Sequence, residues 1–128
     1  MSSIFWVGMG GFIGATGRYA VSRLQFTKKN NFPWATFIVN ALGSLILGFL
    51  YGLNHNFNLI DNNVMYFLGG GIMGSFTTFS TFSLESLQLY KSGRMMLFTL
   101  YVLSSVVLCL FCATTGFLLA PFFASTGN

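Results

Sequence analysis

Only eight of the 128 side chains carry a formal charge, six basic and two acidic. A soluble domain clothes its surface with about a quarter Asp, Glu, Lys and Arg, so a chain that is 6% charged and 54% hydrophobic cannot present a water-facing shell. That excludes a soluble enzyme, a disordered tail and a nucleic-acid module, the last in spite of a net charge of +4. Hydrocarbon has to be the solvent for most of the chain. A membrane-spanning helix takes about 20 residues, so the length allows four spans with short loops and no extramembrane catalytic domain. The chain is read as a single all-α integral membrane domain, residues 1–128, and not as an enzyme.

Apolar windows over residues 4–24, 34–53, 65–90 and 95–123 give the four expected helices. The first has no basic stretch ahead of it and no small-residue cleavage site, so it is read as a retained span rather than a signal peptide. Polar loops are expected over 25–33 and 54–63, and a tight Lys-Ser-Gly-Arg turn over 91–94. Cys109 and Cys112 form a C-x-x-C, but within continuous apolar helix these thiols do not reach disulfide geometry and act as small hydrophobes. His55 is read as a solvated loop side chain. Small residues at helical spacing (Gly10 and Gly14, Ser44 and Gly48, then Gly69, Gly70, Gly71 and Gly74) mark faces where helices in lipid approach closely.

The chemically informative stretch runs from Gly71 to Glu85, GIMGSFTTFSTFSLE, which gathers two Gly, three Thr, three Ser and a carboxylate in fifteen residues. Gly74-Ser75 is the expected break in the third helix. Irregular backbone at membrane depth is tolerated only inside protein or along a wet cavity, where its carbonyls can bind a cation. Beyond the break, Phe76, Phe79 and Phe82 recur every three residues between Thr77, Thr78, Ser80, Thr81 and Ser83. Aromatic rings carry positive edges, so such rings beside hydroxyl and amide donors suit a small anion. A cation path would want carboxylates, and the only acids are Asp61, in a loop, and Glu85, at the end of the track. Asn40 in the second helix and Tyr101, Ser104 and Ser105 in the fourth supply further donors. Each of these polar groups, taken singly, is equally compatible with simple interhelical hydrogen bonding.

The chain resembles the CrcB/Fluc fluoride channels along essentially its whole length. The resemblance lies in GGFIGATGRY from Gly10 to Tyr19, in Pro33, Thr36, Val39-Asn40, Gly43 and Gly48, and above all in GSFTTFSTFSLE from Gly74 to Glu85. It implies a passive fluoride channel of a bacterial inner or plasma membrane, formed by an antiparallel dimer of four-helix subunits. It further implies a structural sodium ion at the dimer interface, held by the main-chain carbonyls of Gly74 and Ser75. By motif, Phe79 and Phe82 are the aromatic contacts to fluoride, Asn40 the amide donor, and Thr78, Ser80 and Thr81 the polar track. Arg18 falls at a vestibule and Glu85 at the pore end.

Two other readings compete. A proton-coupled exporter of the small multidrug-resistance type also uses short four-helix subunits, but it needs a carboxylate in its chamber, and only Glu85 is on offer. A non-transporting membrane assembly subunit would use the polar track as packing glue. Charge distribution adds a tension: Arg18, Arg23, Lys28, Lys29, Lys91 and Arg94 all fall toward one side, which favours a single orientation with both termini outside. An antiparallel homodimer needs dual insertion. The complete set of pore and sodium motifs favours a homodimer, and a heterodimer with an oppositely biased partner is the alternative.

Overall fold

A computed structural model describes residues 2–23, 32–58 and 60–125, and every element among them is helical. Helix α1 spans Ser2–Arg23 and α2 spans Trp34–Phe57. A composite third element follows: α3 (Asn62–Met65), a π-helical stretch (Tyr66–Met73) and α4 (Gly74–Phe76), then α5 (Phe79–Lys91). Helix α6 closes the chain over Met95–Ser125. Two of these, Trp34–Phe57 and Met95–Phe123, are long and apolar enough to cross a membrane, with hydropathies of 1.8 and 2.4. The expected loop over 25–33 lies mostly outside the described residues, as do Lys28 and Lys29.

The apolar side chains point the wrong way for water. Among the described residues few hydrophobic side chains are buried (Val39, Leu50, Met73, Leu89, Tyr101 and Ala120), while Ile4, Phe12, Met96, Leu110 and Phe111 project outward with most of their surface exposed. That inside-out distribution is stable only against hydrocarbon. Hydroxyls on the helices are satisfied locally, as the low-dielectric surroundings require: Thr16 donates to the Phe12 carbonyl, Thr99 to Met95, Thr115 to Phe111 and Ser86 to Phe82.

Packing divides the bundle into two seams. Helix α2 lies along α6, and α1 lies along the π-helical stretch and α4. Glycine sets both separations. A Cβ at Gly48 would sit 2.9 Å from the Ala113 Cα, one at Gly52 would collide with Phe117 and Ala120, and one at Gly116 would fall 2.8 Å from the Phe49 nitrogen. On the other seam a Cβ at Gly71 would lie 2.8 Å from the Gly10 Cα. Gly10, Gly14 and Gly48 therefore occupy contact faces, while Gly70 and Gly74 are exposed on the isolated chain.

Local signals explain most boundaries. The Asp61 carboxylate accepts the Asn63 N–H at 3.3 Å and starts α3. Gly93, at φ +73°, ends α5 in a turn where Gly93 N–H meets the Tyr90 carbonyl and Arg94 N–H meets Leu89. Helix α2 runs further than its apolar window, which places His55 on its last turn with its ring 5.7 Å from Phe117 instead of in a loop.

The third element departs from expectation in one respect. Gly74 and Ser75 are helical, and the backbone leaves helical geometry at Thr77 (ψ 155°) and Thr78 (φ −146°, ψ 118°). The expected position is therefore three residues early. Ser75 is stapled in place by its hydroxyl, which reaches the Gly71 carbonyl at 2.8 Å and the Gly11 carbonyl of α1 at 2.9 Å. Gly74 continues the π-helical stretch before it in right-handed helical geometry (φ −62°, ψ −32°).

Replacing Gly48 by Val should weaken the α2 and α6 seam by about 1–3 kcal/mol through overpacking, lowering the melting temperature in detergent. Gly11→Ala, with nothing within 4 Å of the added carbon, should leave the melt unchanged.

Candidate functional site

Thr77 and Thr78 leave the helix in a region where backbone polar groups have no water to turn to. Asn40 of α2 resolves both groups of Thr78 at once. Its Oδ1 accepts the Thr78 N–H at 2.9 Å, and its Nδ2 donates to the Thr78 carbonyl at 3.2 Å. An amide has two N–H groups, so one remains for another acceptor. Thr77 N–H returns to the Met73 carbonyl at 3.0 Å. The Thr78 hydroxyl caps α5 by accepting the Thr81 N–H at 3.2 Å, and it lies 3.1 Å from the Thr81 hydroxyl and 3.3 Å from that of Ser80.

Thr78 is itself nearly buried, with 8% of its surface exposed, and forms a wall shared by two cavities. One, of about 340 Å³, lies between α1, α2 and α5, and is lined by Arg18, Tyr19, Ser22, Thr36, Thr78 and Thr81. The other, a groove of about 310 Å³, is lined by Asn40, Ser44, Thr78, Phe79, Phe82 and Ser105, with Cys109 beyond them. The rings of Phe79 and Phe82 are 5.9 Å apart at 39°, and Phe79 is 80% exposed on the isolated chain.

Site residues named from sequence thus fall in different places. Asn40, Thr78, Phe79 and Phe82 come together at the groove, Arg18 and Thr81 belong to the first cavity, and Ser80 is on the surface beside Thr78. Glu85 is not a free end group. Its Oε1 accepts the Thr36 hydroxyl at 3.0 Å, and its Oε2 accepts that of the fully buried Tyr101 at 2.8 Å. Tyr101 is wedged between Phe82 and Phe32, with ring centroids 5.2 and 5.4 Å away.

Three residues gain weight from the structure. Thr36 appeared in the sequence only as a motif position; its spacing of four from Asn40 was the signal that both share a face of α2. Ser105 is 6% exposed, and among the described residues its Oγ is the buried side-chain oxygen without a hydrogen-bond partner. Ser105 is among the residues lining the groove, with Asn40, Ser44 and Thr78 among its other polar members beside Phe79, Phe82, Leu47 and Val106. Cys109, set aside as a buried hydrophobe, lines the same groove.

No set of three or more His, Cys, Asp and Glu among the described residues could hold a metal. Helix α4 stops at Phe76 and the Thr78 N–H is taken by Asn40, so the Gly74 carbonyl loses the donor that a continuous helix would return to it.

The profile of the family described as CrcB-like protein, Camphor Resistance (CrcB), matches residues 5–117. The chain belongs to the CrcB-like family. Three relatives are each named "Fluoride-specific ion channel FluC". The relative from Azobacteroides pseudotrichonymphae is 41% identical over 127 residues, covering 96% of this chain and 99% of its own. That of Magnetococcus marinus is 44% identical over 114 residues, 88% of this chain and 93% of its own. The Ruminiclostridium cellulolyticum relative is 39% identical over 126 residues, 98% and 97% of the two chains.

Because Thr36 and Tyr101 share the Glu85 carboxylate, Thr36→Val and Tyr101→Phe should each destabilise the fold by about 1–3 kcal/mol. Their combination should depart from additivity in denaturation of the detergent-solubilised protein. Strict additivity would show that the two bonds act separately.

Proposed function

We propose that the chain is the subunit of a passive, fluoride-selective ion channel that releases fluoride from the cytoplasm and so limits its toxicity. The observation that carries this reading is the make-up of the groove. Phe79, Phe82, Asn40, Thr78 and Ser105 line it together, and no carboxylate does. Together these replace part of a small anion's water shell without presenting a like charge. Arg18 in the neighbouring cavity raises the local anion concentration. The relatives' names support the same conclusion.

The transport logic is electrical. Hydrogen fluoride crosses lipid as a neutral weak acid and dissociates in a near-neutral cytoplasm. The trapped anion is then expelled by an inside-negative potential worth about 2.3 kcal/mol per charge per 100 mV. No coupling group is needed. A proton-coupled cation exporter would need a free carboxylate in its chamber, and both oxygens of Glu85 are already engaged.

Several finer features belong to the same proposal. Four spans in the cell membrane, with the third interrupted, would form an antiparallel dimer with a second copy. Support comes from Phe79, Gly70 and Gly74, which are open on the isolated chain. A homodimer with dual insertion is favoured, with a heterodimer as the alternative, because one chain carries both the groove and the interrupted helix. A structural sodium ion at the dimer interface would be held by the Gly74 and Ser75 carbonyls. The exposed Gly74 and the lost helical donor to its carbonyl support that assignment. When bound, sodium would neutralise carbonyl dipoles where two helix ends meet.

The test is efflux from liposomes loaded with potassium fluoride, read by a fluoride electrode after valinomycin is added. Rapid efflux is expected; none, or proton-linked cation uptake, would replace the reading with one of the alternatives. Phe79→Ile and Phe82→Ile, which roughly conserve apolar volume, should each cut efflux severely while leaving the protein folded. Asn40→Asp should be worse than Asn40→Ser, since it adds a negative charge to an anion path. Exchanging sodium for N-methylglucamine throughout should abolish efflux and lower the melting temperature; an indifferent protein would argue against the sodium site.

A further inference from the structure

One face of α2 carries Thr36, Asn40 and Ser44 at successive turns, and their polar groups are engaged to different degrees. The Thr36 hydroxyl is taken by Glu85. One amide N–H of Asn40 goes to the Thr78 carbonyl and the other is left over. Ser44 is partly buried, and among the described residues its hydroxyl has no hydrogen-bond partner. Other helical hydroxyls of this chain behave differently: Thr16, Thr99 and Thr115 each return theirs to the carbonyl four residues back, the usual way to satisfy such a group against lipid. Ser44 instead lines the groove, beside Asn40, Gly43 and Leu47 of the same helix. We propose that Ser44 is a further anion-contact residue, the station next to Asn40 along α2. The inference rests on the channel reading of the groove and adds a donor to it.

Spacing and chemistry both favour this role. Four residues of helix rise about 6 Å, about twice the length of a hydrogen bond, so an ion held by Asn40 is within reach of the Ser44 hydroxyl without crossing an interval bare of donors. An uncharged hydroxyl replaces one water of the ion's shell and still releases the ion, as conduction requires. Unpaired polar groups are costly away from water, and a passing anion satisfies this one. Further along the same face Leu47 is apolar, which makes Ser44 the last donor that α2 offers to the groove.

The experiment uses the whole protein in liposomes. Initial efflux is measured with valinomycin over a range of internal potassium fluoride concentrations, giving a maximal rate and a half-saturating concentration for each variant. Ser44→Ala should raise the half-saturating concentration about tenfold, the worth of one hydrogen bond to an ion, with the melting temperature in detergent unchanged. Ser44→Cys, similar in size but a weaker donor, should fall between wild type and Ser44→Ala. Thr99→Ala, which removes a hydroxyl already bonded to its own helix, should match wild type. Ser44→Ala at the wild-type value, a loss confined to the maximal rate, or Ser44→Cys at or beyond Ser44→Ala overturns the inference while the channel reading stands. No efflux from wild type overturns the channel reading, and this inference falls with it.

Discussion

Everything at the centre of this molecule depends on how one stretch of non-helical backbone is satisfied away from water. Two residues, Thr77 and Thr78, leave the helix, and in hydrocarbon an unpaired N–H or C=O is a severe penalty. The Asn40 amide supplies both an acceptor and a donor to Thr78, doing with one side chain what a strand neighbour would do. With that residue fixed, its hydroxyl is free to cap α5, and the cap sets where Phe79 and Phe82 project. The aromatic wall is thus a consequence of an amide on another helix.

The same arrangement separates roles that a linear polar track would blur. Thr78 is the common wall between the cavity holding Arg18 and the groove holding the rings. The acidic side chain closest in sequence, Glu85, lines neither space, and Thr36 and Tyr101 donate to its two oxygens. Ser105 is the opposite case, a hydroxyl that on most helical positions would bond back to its own helix and here does not.

Sequence carried the architecture because the scarcity of charge and the spacing of small residues are local signals. The helices α1, α2 and α6, the Gly93 turn and the contact roles of Gly10, Gly14 and Gly48 were legible in that way. The position of the interruption was not. A Gly-Ser pair is the local breaker signal, but the side chain that decides the matter is Asn40, 38 residues away, which accepts from and donates to the Thr78 backbone. The partners of Glu85 were hidden for the same reason, lying 49 and 16 residues distant. The facing of Cys109 was hidden for another: α6 is apolar around its whole circumference, so hydropathy cannot say which side meets the groove.

The glycine seam between α2 and α6 has a thermodynamic corollary. Backbone of Leu45 and Ala113 is in contact with Gly116 and Gly48 across an interface formed in lipid, where attraction comes from dispersion and close fit and not from the release of ordered water. Separating such helices within the bilayer hydrates no new apolar area, so the large positive heat capacity of soluble-protein unfolding has no counterpart at this seam. Cooling weakens a water-driven core. Here it leaves the contact intact, and the pairing of α2 with α6 has no cold limit of hydrophobic origin.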